Sequence, residues 1–493
     1  MVIPVDRFFL DIGYKGTLQQ RLRQLVADGI LTGRFPRGEK LPSTRKLATH
    51  LGISRLTVTL AYAELVSGDY ITARGRSGYY VSDSAPVQPR FEESPSAMTD
   101  TVDWIAAIGS RGSGPIRHQK PKDWWRFEYP FIYGQADPSL FDHHNWRLCA
   151  TRALGKGDFE NFTTDFYEQD DEVLVEYIAR HILPRRGIQA EPGQILLTMG
   201  AQNALWIVSQ LLLSSGRIAV TENPCYPGLK GILHQTGCAI IPVPVDGEGL
   251  RPESLPRQLD VAFVTPSHQC PTNATMPTER RQKLLSRANE QDFLIVEDDY
   301  EFEISFLKPP SPALKSLDTQ GRVLYIGSFS KSLFPGLRLG YLVASEAFIK
   351  EARSLRATIL RHPPGHIQRT TAYFLSLGHY DALVGKIGKA YRRRREVANR
   401  AISDAGLRIA GLNMFGGSSY WMRAPDGVDT VELTERLAKR EVLIEPGRDF
   451  FMDADPPRNY YRLAYSSISE NRILPGIQRI AAAIAESGLK QAG

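Results

Sequence analysis

Residues 323–341 read VLYIGSFSKSLFPGLRLGY: an apolar run ending at Gly327, then Ser328, Ser330 and Lys331, then Arg338 seven residues further on. A short run of β-branched and aromatic residues closed by glycine and serine predicts a buried strand with a tight turn beyond it. A lysine fixed on such a turn and partly desolvated can be neutral and nucleophilic toward an aldehyde. The hydroxyls of Ser328 and Ser330 and the guanidinium of Arg338 can hold a dianionic phosphate beside it. Lysine after a strand is more often a solvated surface charge, so the rest of the chain has to carry the functional reading.

Further strand-like runs surround this one: QILLTMG (194–200), RIAVTEN (217–223), CAIIPVPV (238–245), VAFVTPS (261–267) and FLIVEDD (293–299). Several are followed by amphipathic stretches such as AQNALWIVSQLLL (201–213). Strand and helix in alternation predict an α/β unit with a mostly parallel sheet, helices on both faces, and ligands at the carboxyl ends of the strands. The residues just past each run are therefore candidates for chemistry. FLIVEDD ends in Glu297, Asp298 and Asp299, followed by Tyr300. A carboxylate held against a pyridine nitrogen keeps it protonated and makes the ring an electron sink, and a phenol two residues on can bond a ring hydroxyl. The same cluster could instead bind Mg²⁺ or face water. Gly200, Ala201 and Gln202 open a helix, a seat for an anion. Tyr226 in ENPCYPG (222–228) can stack on a ring, and Arg462 in NYYRLAYSS (459–467) can fork a carboxylate at the start of a strand. Each is weak alone, the bland alternatives being packing for Tyr226 and a structural ion pair for Arg462.

The formal charge of +6 is unevenly distributed over the 493 residues. Residues 1–80 hold 12 Lys+Arg and 6 Asp+Glu, and the other 413 residues hold 48 of each sign. A polyanion should therefore meet the first 80 residues. There, TLQQRLRQLVADGILT (17–32) predicts a helix with Leu18, Leu22, Leu25 and Val26 on one face. Ser43 can cap a second helix that Gly52 stops, and Ser54 a third from Arg55 to about Val66, with Val58, Tyr62 and Leu65 inward. Two short helices joined through a glycine have helix-turn-helix spacing. YITARGRSGYYV (70–81) then reads as a two-stranded wing turning at Arg74, Gly75, Arg76 and Gly78. The start of the third helix, with Arg55 and Thr57, would enter a major groove, and Arg45 joins the same surface.

Between about residues 83 and 125 the chain turns rich in Ser, Pro and Gly, a linker composition with one short helix near Trp104–Ile108. The expected division is 1–82, 83–125 and 126–493. No apolar run reaches the roughly 18 residues of a membrane span. The start of the chain does not read as a signal peptide. Four cysteines without CxxC argue for a reducing compartment and against a zinc site.

GILTGRFPRGEKLPSTRKLATHLGISRLTVTLAYAELVSGDYITARGRSGYYV (29–81) resembles the winged helix-turn-helix of GntR-type bacterial regulators. The strings MGAQ, ENPCYPG, TPSHQCPTNATM, EDDY, SFSK, PGLRLGY and YYRLAY, in that order, resemble fold-type I pyridoxal-phosphate enzymes of the aminotransferase kind. Together, the two halves and the linker resemble the MocR/GabR regulators. That resemblance implies an N-terminal winged helix-turn-helix and a large aminotransferase-like domain with a small C-terminal α+β subdomain. It further implies pyridoxal 5'-phosphate as an internal aldimine on Lys331. Asp298 would meet the pyridine nitrogen and Tyr300 the ring hydroxyl. Gly200, Ala201 and Gln202, with Ser328, Ser330 and Arg338, would hold the phosphate, Tyr226 and Cys270 would lie near the ring, and Arg462 would take an effector carboxylate. Operator DNA would be contacted by Arg45, Ser54, Arg55 and Thr57, and by Arg74, Gly75, Arg76 and Gly78 of the wing. The implied protein is a cytoplasmic, nucleoid-associated bacterial homodimer that senses an amino acid or amine through external aldimine formation. The alternative is an active aminotransferase with an accessory DNA-binding unit.

Three departures from the pattern stand out. Cys270 replaces the asparagine of related enzymes, and Asn273 replaces a glycine; a thiol cannot reproduce the amide's hydrogen bond to the ring hydroxyl. TTDFYEQDDEVLVEY (163–177) lacks the usual Pro-x-Gly and Leu-Arg pair, which leaves a partner-subunit contact from Tyr167 open. KIGKAYRRRREV (386–397) keeps Tyr391 and a basic run, Arg392 to Arg395, that reads as a solvated helix face.

Overall fold

The computed structural model describes residues 2–10, 16–86, 101–108, 121–164, 168–309, 311–411 and 416–489. Tyr167 and most of the expected linker lie outside these residues. The chain forms two compact units, Met1–Ala107 and Ile108–Gly493, with the expected short helix at Trp104–Ile108. Among the described residues no helix is long and apolar enough to cross a membrane.

The small unit is built on three helices, α1 (Leu18–Leu31), α2 (Thr44–Leu51) and α3 (Arg55–Ser67). Thr17 and Gln20 close a capping box on α1, while Ser43 and Ser54 accept the Lys46 and Thr57 amides at the starts of α2 and α3. Gly52 ends α2 at φ +64°, the left-handed conformation that lets the chain turn directly into α3. Leu22, Val26, Val58, Tyr62 and Leu65 are buried around Leu47 and Phe35. Leu18 is a correction: it is 47% exposed, because it starts α1 before the helix reaches its packed face. Strands β1 (Ile71–Ala73) and β2 (Tyr79–Val81) pair antiparallel as the wing, Ile71 opposite Val81 and Ala73 opposite Tyr79.

The large unit is centred on an eight-stranded sheet. Its strands are β3 (Ile195–Thr198), β4 (Ile218–Asn223), β5 (Ala239–Asp246), β6 (Gly249–Leu250), β7 (Val261–Val264), β8 (Leu294–Asp299), β9 (Val323–Ser328) and β10 (Gly340–Val343). In space the order is β3-β10-β9-β8-β7-β4-β5-β6. Only β10 and the edge strand β6 run against the others. The six residues of β9 are all buried, as a strand covered on both faces requires. Helix α4 (Ala201–Leu212) follows β3. A second, antiparallel sheet has the order β11 (Arg408–Ile409), β12 (Ser419–Arg423), β14 (Tyr460–Ala464), β13 (Glu445–Pro446).

The basic run on helix α5 (His379–Asp404) is also a correction. Arg394 and Arg395 are buried. Arg394 donates to the carbonyls of Ser466 (2.6 Å) and Tyr465 and pairs with Asp137. Arg395 donates to Gly416 O at 2.9 Å and lies over the Tyr420 ring. Arg392 is exposed but bonds Phe306 O, and exposed Arg393 pairs with Glu470. A four-residue basic run must present some members inward on a helix packed along its length, and here two of them tie the small sheet to α5.

Candidate functional site

The carboxyl ends of β8 and β9 bring the acid cluster and the lysine turn together. Their parallel register sets Ile326 beside Asp298 and Gly327 beside Asp299. Antiparallel β10 inserts between β9 and β3 and carries the start of α4 to the same place. A Cβ at Gly340 would fall 2.8 Å from Gly327 O and 3.0 Å from Gly200 Cα, so glycine is needed for this approach. Gly200 has φ +82°, and a Cβ there would meet the Arg338 guanidinium at 3.6 Å and Ser330 Oγ at 3.7 Å. The start of α4, Ser330 and Arg338 thus form one cradle of N–H, O–H and guanidinium donors around Gly200. Arg338 donates to Met199 O at 3.0 Å, and Ser328 Oγ accepts the Ser330 amide at 3.2 Å.

Asp298 is buried, and its Oδ1 has no hydrogen-bond partner. Burial, with Asp299 and Glu222 nearby, pushes its carboxyl up to about 7, and Lys331 pulls it the other way. A buried carboxylate oxygen left open in this way calls for a protonated partner. Asp299 does not compete for that role: its Oδ2 accepts from Arg186 Nε (2.7 Å) and Tyr325 OH (2.8 Å). Glu297 is likewise occupied, accepting the backbone amides of Leu314 and Lys315 at 2.8 Å. Asp299 Oδ1, like Asp298 Oδ1, has no hydrogen-bond partner, but it is Asp298 that lies within electrostatic reach of Lys331, Tyr226 and Cys270.

Tyr300 donates to His268 O at 3.0 Å, and burial raises its phenol well above the ordinary range, so it stays a neutral donor. Tyr226 OH reaches Gln202 Oε1 at 3.4 Å. Cys270 packs with Trp421 and Phe450 against Tyr226 and Tyr300, and burial pushes its thiol up to about 12. Asn273 stands at φ +58°, where asparagine is the usual substitute for glycine, and its Nδ2 donates to Ser419 O at 2.8 Å. These donors, the open Asp298 oxygen and the glycine-lined cradle fit a pyridoxal phosphate beside Lys331.

Around Arg462 lie residues that the sequence reading missed. The Tyr133 ring lies between two cations, with Lys331 Nζ 4.0 Å and Arg462 Cζ 3.9 Å from its centroid. Arg462 sits mid-strand in β14 rather than at its start, and its Nε donates to Glu445 Oε2 at 2.8 Å. Glu301 is buried among these groups and accepts from Ser418 Oγ. Tyr133 comes from a segment with no strand or helix periodicity, and no spacing rule joins it to the rest.

On the small unit, Arg45 and Arg55 are exposed, and Arg55 Nε lies 3.4 Å from Thr44 Oγ1. The Ser54 hydroxyl caps α3, and Thr57 Oγ1 lies 2.8 Å from it. Ser54→Ala should therefore cost about 1 kcal/mol of stability in this unit, read as a lower urea midpoint. Gly75 and Gly78 take φ +48° and +106° at the wing tip, and Arg74 lies over Tyr80. The Arg76 side chain lies outside the described residues. Leu56, unremarked in the sequence, is 67% exposed beside Arg55.

Residues 18–81 match the gntR family of bacterial regulatory proteins, and residues 145–480 match aminotransferase class I and II. The chain is 58% identical over 484 residues to the HTH-type transcriptional regulator TauR of Rhodobacter capsulatus, covering 98% of this chain and all of that one. It is 30% identical to the probable rhizopine catabolism regulatory protein MocR of Rhizobium meliloti, over 77% of this chain and 76% of that one. Among solved structures it is similar to the α-aminoadipate aminotransferase of Thermus thermophilus complexed with N-(5'-phosphopyridoxyl)-L-leucine. That match has a TM-score of 0.70 and 25% identity, and covers 78% of this chain and 99% of that one. The chain belongs to the HTH-type transcriptional regulators in which a GntR-family DNA-binding unit is fused to a class I and II aminotransferase unit.

Proposed function

We propose that this regulator binds pyridoxal phosphate at Lys331 and responds to a small primary amine by changing how it holds operator DNA. The observation that carries the reading is the convergence, at the carboxyl ends of β8 and β9, of Lys331 and the open oxygen of Asp298, with the Gly200, Ser330 and Arg338 cradle beside them. When bound, the cofactor supplies an aldehyde carbon to which a lysine or an incoming amine can attach. The chain's own residues do the rest. Asp298 holds a proton at the ring nitrogen, and Tyr300 would turn its one proton from the His268 carbonyl toward the ring hydroxyl. Ser328, Ser330, Arg338 and the amides of Ala201 and Gln202 seat the phosphate, and Arg462 faces the far end of the amine. α3 enters the major groove, with Arg45, Arg55 and Thr57 at the groove and the wing at the backbone. The active form is a homodimer in the bacterial cytoplasm, and the operator has two half-sites.

The rival is a working aminotransferase that carries a DNA-binding unit. Cys270 speaks against it, since a buried neutral thiol stands where an amide donor is needed for turnover. The test is to incubate the cofactor-loaded chain with each protein amino acid and 2-oxoglutarate. The expected result is a spectral change stoichiometric with protein and no continuing keto-acid product. Sustained turnover would favour the rival.

A further inference from the structure

Arg462, the arginine assigned above to the far end of the amine, already has an anion of its own. In the antiparallel register of the second sheet, Glu445 of β13 lies directly opposite Arg462 of β14. Their side chains meet at 2.8 Å, both mostly buried. The same carboxylate oxygen accepts the Tyr133 backbone amide at 3.1 Å. Phe450 closes a further side of the guanidinium, its ring centroid 4.6 Å from Cζ. Burial lowers the Arg462 pKa and Glu445 raises it, with a net upward shift, so the guanidinium stays a cation. One phenol ring separates this pair from Lys331.

An acid arriving at Arg462 therefore meets an occupied cation. If it shares the guanidinium, two anions crowd one cation away from water. If it displaces Glu445, it leaves a mostly buried carboxylate without its guanidinium. Both outcomes cost affinity, and an uncharged group at the same position meets neither cost.

We propose that Glu445 is a specificity-determining residue, a built-in competitor that raises the concentration at which acid-bearing amines occupy the site. The inference rests on the amine-sensing reading above. The separation of Lys331 from Arg462 by one ring points to short ω-amino acids as the ligands that feel this competition.

The test titrates cofactor-loaded wild type and Glu445→Gln with glycine, β-alanine and γ-aminobutyrate and with their amides, following the cofactor absorbance. The variant should bind at least one of the acids at least tenfold more tightly than wild type, and every amide within threefold. Glu445→Asp should move the same acid in the same direction by less, which covers a Gln variant that does not fold. In the cofactor-free chain, sodium propionate should raise the unfolding temperature of Glu445→Gln more than that of wild type, and propionamide should not. Acid and amide affinities that change together, or not at all, would overturn the competitor role while leaving amine sensing intact. Absence of any spectral shift with any amine in either protein would defeat the sensing reading itself, and the competitor role with it.

Discussion

Lys331→Ala should bind no cofactor covalently: the long-wavelength absorbance of the loaded protein disappears, and borohydride fixes no pyridoxyl group to the chain. Lys331 stands on the turn after β9, beside Tyr133 and within electrostatic reach of Asp298. A covalent bond to the aldehyde needs an amine at that position, and alanine supplies none. The phosphate cradle at Gly200, Ser330 and Arg338 remains, so cofactor would still associate, weakly and reversibly. DNA binding without effector should match wild type, because α3 and the wing belong to the other compact unit. Effector response should be lost entirely. A variant that stays equally yellow would show the Schiff-base lysine to lie elsewhere.

Arg55→Ala should weaken binding to the DNA upstream of the gene by tenfold to a hundredfold, on the order of the ~1–3 kcal/mol of one base-edge contact. The cofactor spectrum should not change. Arg55 starts α3 immediately after the Ser54 cap and is exposed, so its loss removes a contact rather than a packing group. Charge supports the same assignment, since residues 1–80 carry the whole net +6. Operator affinity should then fall steeply with salt, whereas cofactor held covalently on Lys331 should barely respond. If Arg55 contacts a phosphate instead, the loss should be similar on all sequences and the salt slope should drop by about one. Anisotropy titrations on upstream and scrambled fragments separate the two.

What could be read in the sequence was local. The strand at 323–328 and the acids ending at Asp299 announce themselves through apolar runs closed by glycine, aspartate and serine. The helix caps at Ser43 and Ser54 and the turn at Gly52 follow equally from side-chain chemistry. What could not be read depends on long-range register. Glu445 meets Arg462 only because β13 and β14 pair antiparallel, and Tyr133 reaches both from a segment more than three hundred residues away. Arg394 and Arg395 were misread for a related reason: four consecutive arginines look solvated until the helix that carries them is packed along its length. The resemblance names Asp298 among the three acids, and only the structure shows why the other two are engaged elsewhere: Glu297 accepts the Leu314 and Lys315 amides, and Asp299 Oδ2 accepts from Arg186 and Tyr325.

The central claim is that one chain couples an amine site at Lys331 to DNA binding, and the most direct measurement is operator affinity in the presence of amines. Cofactor-loaded wild type and Lys331→Ala are titrated against a labelled upstream fragment and a scrambled one, with and without each protein amino acid, β-alanine and γ-aminobutyrate. The account predicts preference for the upstream fragment in both proteins, and at least one amine that shifts wild-type affinity threefold or more without moving the variant. Equal binding to both fragments, or an amine effect that persists without Lys331, would contradict it.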